Sequence, residues 1–195
     1  MNAAPSLPSD ETLMAAYVAG DRRAFEQLFA RLAPRLHRFF RRSFSAEATA
    51  DDLLQVTFLK LHRARATYKT GMRVAPWAFA IAARVRLDEF RRRKRLAEDG
   101  DEEALARADE AGAADTRDEG AIDGDTADAV RRAVEALPES QRVVIHLNRF
   151  EDMTFAEIAG VLGTTEGAVK LRAFRAYGAL RQALAPLAPT GPVTS

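Results

Sequence analysis

The sequence predicts an all-α protein made of two small helical domains joined by a flexible acidic linker. Three observations carry this expectation. Apolar residues recur at helical spacing in two blocks, and no stretch alternates as a half-buried strand would. Between the blocks, residues 96–128 hold thirteen Asp/Glu against two Arg and almost no large apolar side chains. Such a segment cannot bury enough surface to offset the entropy of ordering it. The second block ends in a short capped helix, a glycine and a longer basic helix, the pattern of a helix-turn-helix. The expected divisions are 9–95, a linker over 96–126, a second domain over 127–184 and a loose tail over 185–195.

In the first block, Ser9 or Asp10 caps a helix running to Val18, and Gly20-Asp21 interrupts and caps the next. That second helix carries Phe25, Leu28, Phe29, Leu32, Leu36, Phe39 and Phe40 on one apolar face, and Pro34 predicts a kink or a short break in it. A third helix over about 47–65 groups Leu53, Leu54, Phe58, Leu61 and His62. A fourth starts near Pro76, a residue suited to a first turn, and continues through Trp77, Ile81 and Val85 into Arg91–Arg95. In the second block, Ala129, Val130, Ala133, Val134 and Leu137 line a helix that stops at Pro138, and Glu139–Arg149 form the next. Thr154-Phe155-Ala156-Glu157 is a capping box opening a short helix that Gly163 ends. Thr164 or Thr165 then caps a last helix reaching about Leu184.

Charge gives the first functional clue. The net charge is +1, yet residues 96–128 carry −11 and the remainder +12. Two basic bodies on an acidic strap suit a polyanion partner; a plain soluble protein with an acidic tether is the alternative. There are no cysteines, which removes disulfides, thiolate catalysis and cysteine zinc sites and fits a reducing cytoplasm. No apolar run is long enough to span a membrane, and no secretory signal is expected. His37, His62 and His146 are scattered, and no HExxH, P-loop or GxSxG arrangement occurs, so neither an enzyme nor a cofactor or metal site is expected.

Two helices carry candidate nucleic-acid residues. On the last helix, Val169, Ala173, Ala176 and Leu180 form the inward stripe, and Gly167, Lys170, Leu171, Phe174, Arg175 and Gly178 face outward. Leu171 and Phe174 beside cations suit a major-groove surface; packing against a partner or another helix is the competing reading. On the fourth helix, Arg84, Arg86 and the run Arg91, Arg92, Arg93, Lys94 and Arg95 accompany Trp77, Phe79 and Phe90. Cations there suit a phosphate backbone and aromatic faces suit unpaired bases, although Trp77 at this spacing also reads as core.

The blocks together resemble the extracytoplasmic-function group of bacterial sigma factors, in the sigma-70 family. The likeness rests on Gly20-Asp21-Arg22-Arg23-Ala24-Phe25, Asp52-Leu53-Leu54-Gln55-Val56-Thr57-Phe58-Leu59-Lys60, Trp77-Ala78-Phe79-Ala80-Ile81-Ala82, Leu137-Pro138-Glu139-Ser140-Gln141-Arg142, Phe155-Ala156-Glu157-Ile158-Ala159 and Glu166-Gly167-Ala168-Val169-Lys170-Leu171-Arg172, in that order. The resemblance implies a four-helix sigma-2-like domain and a helix-turn-helix sigma-4-like domain. It implies docking on the clamp helices of the largest polymerase subunit through Asp52, Leu54, Gln55, Phe58 and Leu59, and a further contact with the flap. The Trp77–Arg95 helix and the loop before it would read the melted non-template strand at the −10 element. Lys170, Leu171, Arg172, Phe174 and Arg175 would meet the −35 duplex. An anti-sigma partner and a cytoplasmic setting are also implied, with no stable membrane insertion. Three positions depart from the usual pattern: Val56 where an acid is common, Arg84 where Asn is common, and Leu171 where Ser is common. The resemblance implies that the acidic linker threads toward the polymerase active site and RNA exit path, where it is expected to imitate RNA; the alternatives are that it folds back on Arg91–Arg95 and weakens DNA binding by the free factor, or serves as a simple tether. The competing functions are a dimeric helix-turn-helix regulator, an enzyme and a protein-binding adaptor.

Overall fold

A computed structural model describes residues 7–98 and 124–187. Eight α-helices cover most of the described residues: α1 Asp10–Val18, α2 Arg22–Arg41, α3 Glu47–Ala64, α4 Val74–Glu98, α5 Gly124–Glu135, α6 Glu139–Arg149, α7 Phe155–Leu162 and α8 Glu166–Leu184. No strand occurs among them. The chain divides into two compact units, one containing α1–α4 and the other α5, α6, α8 and α7 as far as Ala159.

Local chemistry sets several helix ends. Ser9 accepts the Thr12 N–H at 3.2 Å, and the Asp21 carboxylate accepts the Arg23 N–H at 2.8 Å. Thr154 and Glu157 form the reciprocal capping box, with the Thr154 N–H donating to Glu157 Oε2 at 2.9 Å. Gly163 closes α7 at φ 62°, a left-handed conformation that costs glycine little. Thr165 caps α8 by accepting the Ala168 N–H at 3.2 Å.

Pro34 does not break α2, which runs unbroken from Arg22 to Arg41. Pro34 and Ala30, the residue whose carbonyl loses its N–H partner, are both exposed, so water can serve that carbonyl. Leu32, Ala33 and Leu36 are buried around the proline. Each large side chain so buried contributes about 1.5–3 kcal/mol, enough to offset the proline penalty of about 3 kcal/mol. Both ends of the expected 96–126 linker are also helical, since α4 reaches Glu98 and α5 starts at Gly124. Leu96, Ala97 and Glu98 are good helix formers, and Lys94 pairs with Glu98 at 3.6 Å. The rest of the linker, with its expected flexibility and charge effect, lies outside the described residues. In the tail, Ala185–Leu187 form a 3₁₀ turn and 188–195 lie outside the described residues.

The first unit is centred on Leu36, Phe39, Phe40, Val74 and Phe79, none more than 2% exposed. Phe39 meets Phe79 edge-to-face at 5.4 Å, joining α2 to α4. In the second, Leu137, Ile145 and Ala176 form a buried cluster completed by Tyr177 and Leu180.

Glu11 ties α1 to the start of α4 by accepting the Val74 N–H at 3.2 Å. Its own backbone N–H lowers its carboxyl pKa most; partial burial opposes, and the Val74 N–H lowers it further. Replacing Glu11 with Gln is expected to cost about 0.5–1.5 kcal/mol in urea unfolding at pH 7. A carboxyl whose folded pKa is depressed stabilises above its ordinary value of about 4.3, and the benefit fades as pH falls through the folded value. The wild-type advantage should therefore vanish in strong acid.

Candidate nucleic-acid interface

α4 sorts its cations into two sets. At about 100° per residue, Trp77, Arg84, Asp88, Arg91 and Arg95 share one line along the helix, with the exposed Asp88 its one acid. Arg84, Arg91 and Arg95 are exposed, and Arg91 has only a distant partner in Asp88 at 3.9 Å. The other set is engaged in the fold. Glu89, 9% exposed, accepts Arg92 Nε at 2.7 Å, Arg92 Nη2 at 2.8 Å and Arg93 Nε at 2.9 Å. Arg93 also donates to Thr49 Oγ1 at 3.1 Å and lies 4.8 Å from the Phe44 ring centroid. Burial alone would raise the Glu89 pKa, but the two guanidinium partners more than reverse this and leave it lowered. Arg86 is buried, with its guanidinium 5.4 Å from the Phe39 ring, 5.5 Å from Phe90 and 3.2 Å from Ser43 Oγ. Lys94 is exposed beside Glu98. The sequence groups all these cations together, whereas the fold places only Arg84, Arg91, Lys94 and Arg95 fully toward solvent and leaves Arg92 half-exposed.

The loop before α4 is anchored at Tyr68, which is buried, donates its hydroxyl to the Met72 carbonyl, and meets Trp77 edge-on at 5.3 Å. Met72 stands 48% exposed. Trp77 is half-buried, its ring partly packed and partly open to solvent.

On α8 the wheel drawn from the sequence agrees with the burial except at Gly178 and Leu180, which are both half-buried. Val169, Ala173 and Ala176 are buried; Lys170, Leu171, Phe174 and Arg175 are exposed; Arg172 is half-buried toward the inner side. Lys170 pairs with Glu166 at 2.7 Å. Arg181, absent from the sequence-based set, is exposed two turns beyond Phe174 and one beyond Tyr177, on the Lys170 side.

A third surface lies on α3. Asp52, Gln55, Val56 and Leu59 are exposed, Leu59 by 58%. Leu54 is half-buried and Phe58 is 8% exposed, its ring 4.5 Å from Phe29 and 6.3 Å from Phe25. Phe58 therefore supports this face from beneath. Sequence reasoning placed Phe29 on the inner face of α2, yet it is 43% exposed. His62 Nδ1 and the Tyr17 hydroxyl lie 2.5 Å apart, His37 pairs with Asp51 at 3.2 Å, and His146 lies buried 3.6 Å from the Glu151 carboxylate. Among the described residues, no group of three or more His, Asp or Glu could hold a metal ion.

Residues 28–96 match the family Sigma-70 region 2, and residues 127–180 match Sigma-70, region 4. RNA polymerase sigma factor CarQ of Myxococcus xanthus is 36% identical over 172 residues, covering 86% of this chain and 93% of that one. The chain belongs to the extracytoplasmic-function sigma factors of the sigma-70 family. ECF RNA polymerase sigma factor SigM of Mycobacterium tuberculosis is 35% identical over 176 residues, covering 90% of this chain and 85% of that one. The solved structure of CnrH in complex with the cytosolic domain of CnrY matches at 28% identity and a TM-score of 0.62, covering 91% of this chain and 97% of that one. This sigma factor thus carries its region 2 match on α2–α4 and its region 4 match on α5–α8. The exposed Arg84, Arg91 and Arg95 of α4 fall in the first match and the exposed Lys170 and Arg175 of α8 in the second. No helix among the described residues is long and apolar enough to cross a membrane.

Proposed function

We propose that this sigma factor grips a promoter at two places while polymerase supplies the chemistry. The exposed line of α4, with Trp77 and the Tyr68–Met72 loop at its start, holds the melted non-template strand at the −10 element. The outward face of α8 enters the major groove of the −35 duplex. Asp52, Gln55 and Leu59 on α3 dock on the clamp helices of the largest polymerase subunit, with Phe58 and Leu54 beneath them, and the second unit adds a contact with the flap. The observation that carries this reading is the pair of exposed cationic faces, one on each unit, since a partner that is not a polyanion leaves both without purpose. The chain itself makes or breaks no bond and acts in the cytoplasm. An anti-sigma partner binds it, as the resemblance to the family implies; the similar CnrH was itself solved in complex with the cytosolic domain of CnrY.

Run-off transcription with core polymerase on promoter libraries tests the whole reading. Addition of the chain is expected to create new, discrete start sites, and an unchanged transcript pattern would reject it. Replacing Leu59 with Asp tests the docking face. Leu59 is 58% exposed, so stability should change by no more than about 0.5 kcal/mol. Association with core polymerase should weaken more than about tenfold, because a charge would be buried at the centre of an apolar contact. Wild-type affinity for core enzyme in a pull-down titration would remove Leu59 from the interface.

A further inference from the structure

The outward line of α8 differs in chemistry from that of α4. On α4 the line is mostly guanidinium. On α8 it runs Gly167, Leu171, Phe174, Gly178, at i, i+4, i+7 and i+11, with no charge on it. Phe174 is 77% exposed and Leu171 48%. Cations flank the line on both sides, Lys170 and Arg181 on one and Arg175 on the other, all exposed. A Cβ placed on Gly167 or Gly178 would meet nothing within 4 Å, so packing inside the protein does not demand glycine at either end of the ridge. At Gly178, in the interior of α8, glycine is nonetheless unfavourable by about 0.8–1 kcal/mol relative to alanine. An apolar ridge, bare at both ends and walled by cations, is the shape and charge of a wedge for a groove lined by phosphates.

Leu and Phe carry no donor or acceptor, so they cannot tell bases apart by hydrogen bonding. The apolar group that a base pair presents in the major groove is the thymine 5-methyl. We propose that Leu171 and Phe174 select the −35 element by contact with thymine methyl groups, while Lys170, Arg175 and Arg181 hold the phosphates on either side. The proposal rests on α8 being the −35 reader. Leu171 and Phe174 are about 4.5 Å apart along the helix axis, comparable with the roughly 3.4 Å rise of the duplex. The methyls read therefore lie on neighbouring base pairs.

Deoxyuridine tests this directly, because it pairs like thymidine and lacks only the methyl. Holoenzyme assembled from core polymerase and the full chain first selects its −35 sequence from a promoter library randomised there. Each thymine of the selected element is then replaced singly by deoxyuridine, and open-complex formation is titrated. At one or two neighbouring positions the replacement should weaken binding about three- to fivefold, the value of one buried methyl. Leu171→Ala or Phe174→Ala should weaken binding to the thymine promoter by a similar factor and abolish the deoxyuridine effect. Lys170→Gln should weaken both promoters equally and preserve it. Intact start-site selection with no response to deoxyuridine anywhere in the element would overturn the proposal. So would a deoxyuridine response that survives both alanine variants. Alanine variants that lose affinity for core polymerase and keep the promoter response would make the ridge a protein-docking surface instead. If holoenzyme selects no element, the assignment of α8 to the −35 duplex fails first.

Discussion

Replacing Arg84, Arg91 and Arg95 together with glutamine should lower promoter-complex formation by about 10²-fold at 0.1 M salt and leave the fold intact. All three are exposed on one line of α4, so each substitution should change stability by no more than about 0.5 kcal/mol. Each phosphate contact releases roughly 0.7 of a counterion on a single strand and 0.9 on a duplex, so the plot of log affinity against log salt should flatten by about 2–3. The paired variant Arg92→Gln with Arg93→Gln removes nearly as many charges from the same run. Its expected result is different. Glu89, Thr49 and the Phe44 ring lose their partner groups, and Glu89 stays buried without them. Unfolding free energy should fall by about 1–3 kcal/mol, with a much smaller change in salt slope. Equal slopes for the two variants would show that the whole run contacts the backbone and that the division made by Glu89 is functionally empty.

That division shows where sequence reasoning reached its limit. The helix ends were legible because their causes are local: Ser9, Asp21, Thr154 with Glu157, Gly163 and Thr165 all act within a turn of the boundary they set. The outward face of α8 was legible too, because one helix with a clean buried stripe fixes its own opposite side. The run Arg91–Arg95 was legible only in part: Glu89, within about a turn of Arg92 and Arg93, is a local partner, but Thr49 and Phe44, which also hold Arg93, stand elsewhere in the chain. Arg86 is drawn inward by Phe39 and Ser43, and Arg93 by Phe44 and Thr49, more than forty residues away. Composition reports that cations are present; only tertiary packing reports which of them the fold has already used. The same holds for Phe58 and Leu59, adjacent in sequence and opposite in role, and for Glu11, whose acceptor function depends on Val74. The break that Pro34 allowed for does not occur, because that rule concerns an isolated helix. On α2 the burial of Leu32 and Leu36 outweighs that local cost.

Phe79 carries the largest expected loss of stability. It is fully buried on α4, meets Phe39 of α2 edge-to-face at 5.4 Å, and has the Arg35 guanidinium 5.9 Å from its ring centroid. Arg35 in turn reaches Asp10 at 3.7 Å, and Asp10 pairs with Arg31 at 2.9 Å. One ring thus supports the packing of α4 on α2 and a cation that reaches α1. Truncation to alanine should cost about 3–5 kcal/mol, from lost transfer energy and the cavity left behind. For a unit of this size that corresponds to a fall in melting temperature of roughly 15–30 °C. Trp77 is the single tryptophan of the chain and lies on the same helix, so its fluorescence follows the melting of this unit. Phe79→Leu keeps most of the volume and should recover more than half of the loss. A Trp77 transition that moves by less than about 5 °C in Phe79→Ala would mean that the α2–α4 contact does not hold the unit together. The positions of Arg84, Arg91 and Arg95 would then need another support.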